Sequence, residues 1–159
     1  VLPHAHMIFI VRDPKDIIAS MLNVSKKQIN LGLKPNYPRD MKALCSFINS
    51  HYNFLINNEN INNFSNISFV KYEDLILNTL DKLNSVFEFL KLDYEFKNLE
   101  TLWDRAPTFL DPHNNPYHSD LWNQKPSSSK IGSYTAELTK DEINYINNSC
   151  RKLIDKFNY

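Results

Sequence analysis

Two runs of apolar residues interrupt an otherwise mixed pattern and predict the strands of this protein. The first, Met7–Val11, is continuously apolar and rich in β-branched residues, which is typical of a strand buried on both faces of a parallel sheet. The second run, residues 67–72, predicts another strand. Asp13 and Pro14 follow the first run and suit the N-cap and the first residue of a helix.

Apolar residues spaced by three and four predict helices in much of the remaining chain. The predicted helices are residues 14–28, 39–57 and 73–91, a short helix near 96–104, and a last helix that opens at a capping box, residues 139–142. The stretch 105–131 contains four prolines and no periodicity, which favours a binding or covering loop. Because strands alternate with helices, we expect a single α/β domain with helices packed on a parallel sheet.

The composition fits a globular domain and gives no sign of a nucleic-acid or membrane surface. The chain has 159 residues, of which 42% are apolar, and this is enough to form a core. The formal net charge is zero, so nothing predicts a basic face for nucleic acid. No stretch approaches the ~20 apolar residues of a transmembrane helix. Any anion that the protein binds must therefore be held by a local site.

Cysteines, glycines and the first residue add three expectations. Cys45 and Cys150 fall on apolar positions of predicted helices, so we expect two buried free thiols, while a disulfide between them stays open. The only glycines are Gly32 and Gly132, too few for a G-x-x-x-x-G-K-[ST] phosphate loop. The chain starts at Val1 without Met and enters a strand almost at once, which indicates the C-terminal portion of a longer domain.

The segment with candidate chemistry is Arg-Asp-Pro-Lys-Asp-Ile-Ile-Ala-Ser, residues 12–20. Arg12 ends a predicted strand, at the sheet edge where α/β proteins bind ligands, and a helix N-terminus opens beside it. Ser20 lies about 9 Å further along that helix, a gap that an arginine side chain can fold back across. Arg12 and Ser20 could therefore bind one phosphate, Arg12 through two guanidinium N–H groups and Ser20 through its hydroxyl. The same pattern also fits a capped helix with a surface arginine and a packed serine.

Three segments together resemble the sulfotransferase family. Residues 7–20, a hydrophobic strand followed by Arg-Asp-Pro-x-Asp and then Ser, are similar to its 3′-phosphate-binding motif. Phe-Val-Lys-Tyr-Glu-Asp-Leu, residues 69–75, resembles its strand that ends in Tyr-Glu-Asp-Leu. Ser-Ser-Ser-Lys-Ile-Gly-Ser-Tyr, residues 127–134, resembles the late loop that closes over the 3′-phosphate. The segments occur in the family's order, and the resemblance covers essentially the whole chain.

The resemblance implies a binding site for 3′-phosphoadenylyl sulfate (PAPS), the sulfuryl donor. Arg12 and Ser20 would bind the 3′-phosphate, and Tyr72 would contact the adenine. Lys130 would add a second cation to the 3′-phosphate, and Gly132 would let the backbone approach that phosphate. Ser128 is a weaker candidate in the same loop. Glu73 and Asp74, which follow Tyr72, are expected to cap the next helix instead of contacting a ligand.

The resemblance also implies a P-loop-NTPase-like fold, with a parallel sheet flanked by helices. Residues 1–159 would be the C-terminal portion of a single sulfotransferase domain, truncated at its N-terminus. The loop that binds the 5′-phosphosulfate and the catalytic base would both lie upstream of Val1. No catalytic residue is therefore assigned, and we expect the fragment alone to be inactive.

The implied reaction transfers a sulfuryl group from PAPS to an acceptor hydroxyl or amine, without a metal. The acceptor could be a carbohydrate, a tyrosyl protein, a lipid or a small alcohol, and residues 108–129 are the candidate acceptor loop. Two other functions stay open: a nucleotide-dependent, kinase-like enzyme that requires Mg²⁺, and a non-catalytic interaction module. The compartment is open as well, with the cytoplasm expected for a bacterial protein and the Golgi lumen an alternative for a eukaryotic one.

Overall fold

The structure, a computed structural model, describes residues 5–58, 60–93 and 127–159. Two parallel strands form its sheet, β1 (Met7–Val11) and β2 (Ile67–Lys71). Their register pairs Met7 with Ile67 and Val11 with Lys71, so both strands end at the same edge. The predicted short helix 96–104 and most of the predicted loop 105–131 lie outside the described residues.

Helices make up most of the remaining described chain, and the α/β class is confirmed. They are α1 (Pro14–Asn30), α2 (Met41–His51), α3 (Asn53–Asn57), α4 (Tyr72–Leu77), α5 (Thr79–Phe89), α6 (Tyr134–Glu137), α7 (Lys140–Ser149) and α8 (Arg151–Phe157). Single 3-10 turns form at Ile61–Asn63 and Ser128–Lys130. The capping box of the last predicted helix is also confirmed, because Thr139 and Glu142 each accept the other's backbone N–H.

Three predicted helices are each divided in two, at Tyr52, Asn78 and Cys150. At Asn78 the backbone leaves helical geometry, with φ −130° and ψ 48°, and the Thr79 hydroxyl donates to the carbonyl of Ile76. Such local side-chain bonds compete with the helical ladder. At Tyr52 the interruption is slight, because its N–H still bonds the Ile48 carbonyl at 3.0 Å.

The expectation that the first strand is buried on both faces is wrong for the described residues. Only Val11 of β1 is fully buried, whereas Ile8 is 36% exposed and Ile10 is 57% exposed. Phe9 and Val11 face the helices, and β2 is the one strand paired with β1 in the described part of the chain. The alternation follows from covering a single face of a sheet.

The core lies where α1, α2, α7 and α8 meet one face of the sheet. Its most buried side chains include Val11, Ile18, Leu22, Leu44, Ile48, Ile146, Leu153 and Phe157. Cys45 and Cys150 are also buried there as free thiols, as expected from the sequence. The hydrogen bond with Cys45, together with burial, raises the pKa of Cys150, so that thiol stays protonated at neutral pH. The apolar residues spaced by three and four along the predicted helix 73–91 are at most half-buried.

An ion pair joins the segment before α2 to the start of α7. Arg39 donates from Nε and Nη2 to the two carboxylate oxygens of Glu142, each at 2.7 Å, and also to the Glu137 carbonyl. The hydrogen bonds from Arg39 lower the pKa of Glu142 from 4.5 to about 2. Because the folded value is the lower one, the pair stabilises the fold above pH 4.5. That stabilisation is lost as the pH falls toward 2.

Arg39→Gln is expected to reduce the free energy of unfolding by ~1 kcal/mol at pH 7, since both side chains are partly exposed and solvent screens them. Urea denaturation at pH 7 and at pH 3 would measure this difference, which should shrink at the lower pH. Arg151→Gln is the control, because its pair with Asp155 is far more exposed, at 77% and 65%, and should contribute little. Equal losses in the two variants, or a loss independent of pH, would contradict the prediction.

Candidate functional site

The parallel register of the two strands brings Arg12 and Tyr72 together. Each residue directly follows its strand, and the preceding pair, Val11 and Lys71, are partners in the ladder. The guanidinium carbon of Arg12 lies 4.3 Å from the centroid of the Tyr72 ring. Such a cation–π contact holds the guanidinium over the ring. Tyr72 is the first residue of α4, not the last residue of the strand as predicted.

The late loop, residues 127–134, supplies the third part of the site. Arg12 Nη2 donates to the carbonyl of Lys130 at 2.9 Å, across 118 positions of the sequence. A second nitrogen of the same guanidinium, Arg12 Nε, is buried and has no hydrogen-bond partner among the described residues. A buried donor without a partner is costly, so this atom marks a place where an acceptor would be bound favourably.

The N-terminus of α1 is capped locally, as its sequence predicts. The Asp13 carboxylate accepts the Lys15 N–H at 2.9 Å and also pairs with the Lys15 ammonium at 3.2 Å. Burial raises the pKa of Asp13, while these contacts with Lys15 oppose the shift. Pro14 occupies the first helical turn, where its missing N–H has no cost. The helix start is therefore capped by local contacts, and Arg12 precedes it by two residues.

Asp16 is a site residue that the sequence analysis did not assign. Its carboxylate is 1% exposed and accepts three hydrogen bonds from the late loop: Gly132 N–H at 2.7 Å, Tyr134 N–H at 3.0 Å and the Ser133 hydroxyl at 3.4 Å. The one signal in the sequence is its place in the Arg-Asp-Pro-x-Asp segment. An acidic residue in the first turn of a helix is otherwise explained by the helix dipole alone.

Glu73 links the two strand ends to the C-terminus, and its predicted role as a cap of the following helix is wrong. One carboxylate oxygen accepts the Asp13 N–H at 3.2 Å, and the other accepts the Tyr159 hydroxyl at 3.0 Å. Asp74 pairs with Lys82 at 3.5 Å, on the outside of α4 and α5. Glu73 therefore holds the turn that follows β1 against the start of α4.

Two half-buried tyrosine hydroxyls lie close to Glu73. Burial raises the pKa of Tyr159, and the nearby Glu73 charge raises it further. Burial also raises the pKa of Tyr52, although a hydrogen bond with the Arg12 backbone opposes that shift. Both phenols are therefore neutral at physiological pH, and they add no negative charge beside Arg12.

Some predicted site residues are in contact with Arg12, and the described contacts of others do not include it. Arg12, Tyr72 and the backbone of Lys130 are in direct contact. Ser20 is half-buried two turns along α1, and the bonds described for Arg12 do not involve it. Ser128 has an exposed side chain in the 3-10 turn before Lys130.

Gly132 has φ +71°, a left-handed conformation that residues with a Cβ seldom adopt. A Cβ on Gly132 would meet no atom within 4 Å, so the glycine is required by its backbone angle and leaves open space beside it. Its N–H is occupied by Asp16. The carboxylate, and not a ligand, therefore receives that donor in this conformation.

Residues 5–58, 60–93 and 127–159 contain neither a group of metal ligands nor a membrane-spanning helix. No group of three His, Cys, Asp or Glu side chains in this part of the chain could hold a metal ion. None of the helices described above has the length and apolar content needed to cross a bilayer. Nearly all of the candidate acceptor loop, residues 108–129, lies outside the described part.

One family model matches the chain nearly from end to end. It is the model of the sulfotransferase domain, and the match covers residues 1–158. In comparisons with curated proteins and with solved structures, no match was found. The three segments described above all fall within the matched range.

Proposed function

Because this chain belongs to the sulfotransferase domain family, we propose that it takes part in transferring a sulfuryl group from PAPS to an acceptor hydroxyl or amine. In this proposal the chain provides the part of the donor site that binds the 3′-phosphate and the adenine. PAPS supplies the activated sulfuryl group. An acceptor oxygen or nitrogen forms the new bond to sulfur, the bond from sulfur to the 5′-phosphate oxygen breaks, and adenosine 3′,5′-bisphosphate leaves with that electron pair.

The proposal rests mainly on the convergence of three segments at Arg12. The guanidinium lies over the ring of Tyr72 and against the carbonyl of Lys130, which are 60 and 118 positions away in the sequence. A helix cap with a surface arginine would explain neither contact. The buried, unpartnered Nε of Arg12 fits an acceptor group such as a phosphate oxygen.

Residue roles follow from this arrangement. Arg12 would bind the 3′-phosphate through the donors that Lys130 does not occupy, and the N-terminus of α1 would add a favourable field. Ser20 and the Lys130 ammonium would extend the same pocket, while Gly132 and Ser128 would line its late-loop side. Tyr72 would bind adenine with the part of its ring that the guanidinium leaves free. The base that deprotonates the acceptor is not assigned to any residue of this chain.

A binding comparison tests the proposal on the full protein. Isothermal titration calorimetry without Mg²⁺ should show that adenosine 3′,5′-bisphosphate binds at least ~10-fold more tightly than adenosine 5′-phosphate, because a charged phosphate contact contributes ~1.5–3 kcal/mol. A kinase-like enzyme would show no such preference and would need Mg²⁺. An interaction module would bind neither nucleotide. Either of these results would refute the proposal.

A further inference from the structure

Asp16 is a buried carboxylate, and its hydrogen bonds within the described part of the chain come from backbone and hydroxyl donors of the late loop. A carboxylate that is only 1% exposed needs hydrogen bonds to offset its lost hydration, and the segment 132–134 supplies them. These bonds join the first turn of α1 to residues 116 to 118 positions later. The contact is therefore a long-range clamp and not a helix cap.

This clamp lies beside the carbonyl that binds Arg12, because Gly132 follows Lys130 by only two residues. The Ser133 hydroxyl lies 3.4 Å from the Asp16 carboxylate and 3.3 Å from the Lys130 carbonyl, and its single proton is shared between these two acceptors. That same carbonyl accepts Arg12 Nη2 at 2.9 Å. Holding residues 132–134 therefore also fixes where the Lys130 carbonyl points, and that carbonyl orients the guanidinium.

We propose that Asp16 is a positioning residue for the 3′-phosphate site, acting through the late loop, Ser133 and the Lys130 carbonyl on the guanidinium of Arg12. The inference rests on the proposed function, since it concerns how that phosphate is bound. Without the clamp, the loop and the guanidinium would have to be ordered when the ligand binds. That ordering would reduce affinity although Asp16 itself makes no contact with the ligand.

Asp16→Asn tests the inference, because the amide keeps the shape of the carboxylate but removes its charge and one acceptor. We expect affinity for adenosine 3′,5′-bisphosphate to fall by ~10-fold or more, and affinity for adenosine 5′-phosphate to change less than about twofold. A purely structural role would weaken both nucleotides alike. Calorimetry on both nucleotides, with thermal unfolding measured in parallel, separates the two effects.

Ser25→Ala is the matched control. Ser25 is also a buried residue of α1, and its hydroxyl accepts the Tyr37 N–H at 3.0 Å, so it makes an equivalent helix-to-loop bond away from the site. It should lower the melting temperature without changing the preference between the two nucleotides. If Ser25→Ala lost that preference as Asp16→Asn does, the inference would be overturned.

A second variant covers the case in which Asp16→Asn does not fold. Ser133→Ala removes the hydroxyl between Asp16 and Lys130, and should weaken only the bisphosphate, by ~3-fold or more. Unchanged bisphosphate affinity in Ser133→Ala or in a folded Asp16→Asn protein would overturn the inference while leaving the proposed function intact. If the unmodified protein showed no preference for the bisphosphate, the proposed function would fail, and the inference with it.

Discussion

Arg12→Ala is expected to weaken binding of adenosine 3′,5′-bisphosphate by ~2–4 kcal/mol, a loss of roughly 30- to 700-fold. The reason is that the phosphate would lose a charged partner that is already oriented before binding. The guanidinium lies over the ring of Tyr72, and its Nη2 is held by the Lys130 carbonyl. Isothermal titration calorimetry measures the loss directly, with adenosine 5′-phosphate as the reference ligand.

Two further variants sharpen this test. Arg12→Lys keeps the charge but loses the paired N–H donors and the flat face against Tyr72. We therefore expect a loss of bisphosphate affinity smaller than that of Arg12→Ala. Arg151→Ala removes an arginine whose side chain is 77% exposed and should leave affinity unchanged. Wild-type affinity in Arg12→Ala, in protein that is shown to be folded, would disprove the assignment of Arg12 to the anion site.

Ile146→Ala is expected to lower the free energy of unfolding by ~3 kcal/mol, within the range of ~2–5 kcal/mol found for such core truncations. Ile146 is 0% exposed and belongs to α7, which packs on α1 and α2. Removing three carbons would leave a cavity that rigid helices fill only partly. Urea denaturation at pH 7, with equal slopes for the two proteins, gives the difference.

Asn148→Ala serves as the control for this core variant. It lies in the same helix with an exposed side chain, and alanine is the better helix former, so we expect a change within ~0.5 kcal/mol. A loss below ~1 kcal/mol in Ile146→Ala would mean that the core adjusts to the missing volume. In that case α7 would not be rigidly packed against α1.

The local elements of the fold could be predicted from the sequence with good accuracy. The bounds of β1, the Asp13 and Pro14 start of α1 and the capping box at Thr139 all agree with the structure. Each depends on residues only a few positions apart, such as a cap and the N–H groups of its own first turn. The family, too, could be identified, because its motifs are short and contiguous.

Burial and helix breaks were harder to predict, because they depend on what packs against each element. The run Met7–Val11 is as apolar as a fully buried strand, yet Ile10 is 57% exposed, since only one of its faces is covered by described residues. The break at Asn78 interrupts a regular apolar stripe. Periodicity reports which side chains favour burial and does not report whether a neighbour is present.

The candidate site shows most clearly the difference between what local sequence patterns predict and what tertiary packing decides. Arg12, placed after a strand and beside a helix N-terminus, suggested an anion site, although the same residues also fit a capped helix with a surface arginine. Tyr72 and Lys130 entered the predicted site only through the resemblance to the sulfotransferase family. The carboxylates that organise it could not be assigned. Asp16 and Glu73 look like ordinary first-turn acids, and their partners lie at least 60 positions away along the chain. A hydrogen bond of that separation is created by the packing of whole elements, and no local pattern encodes it.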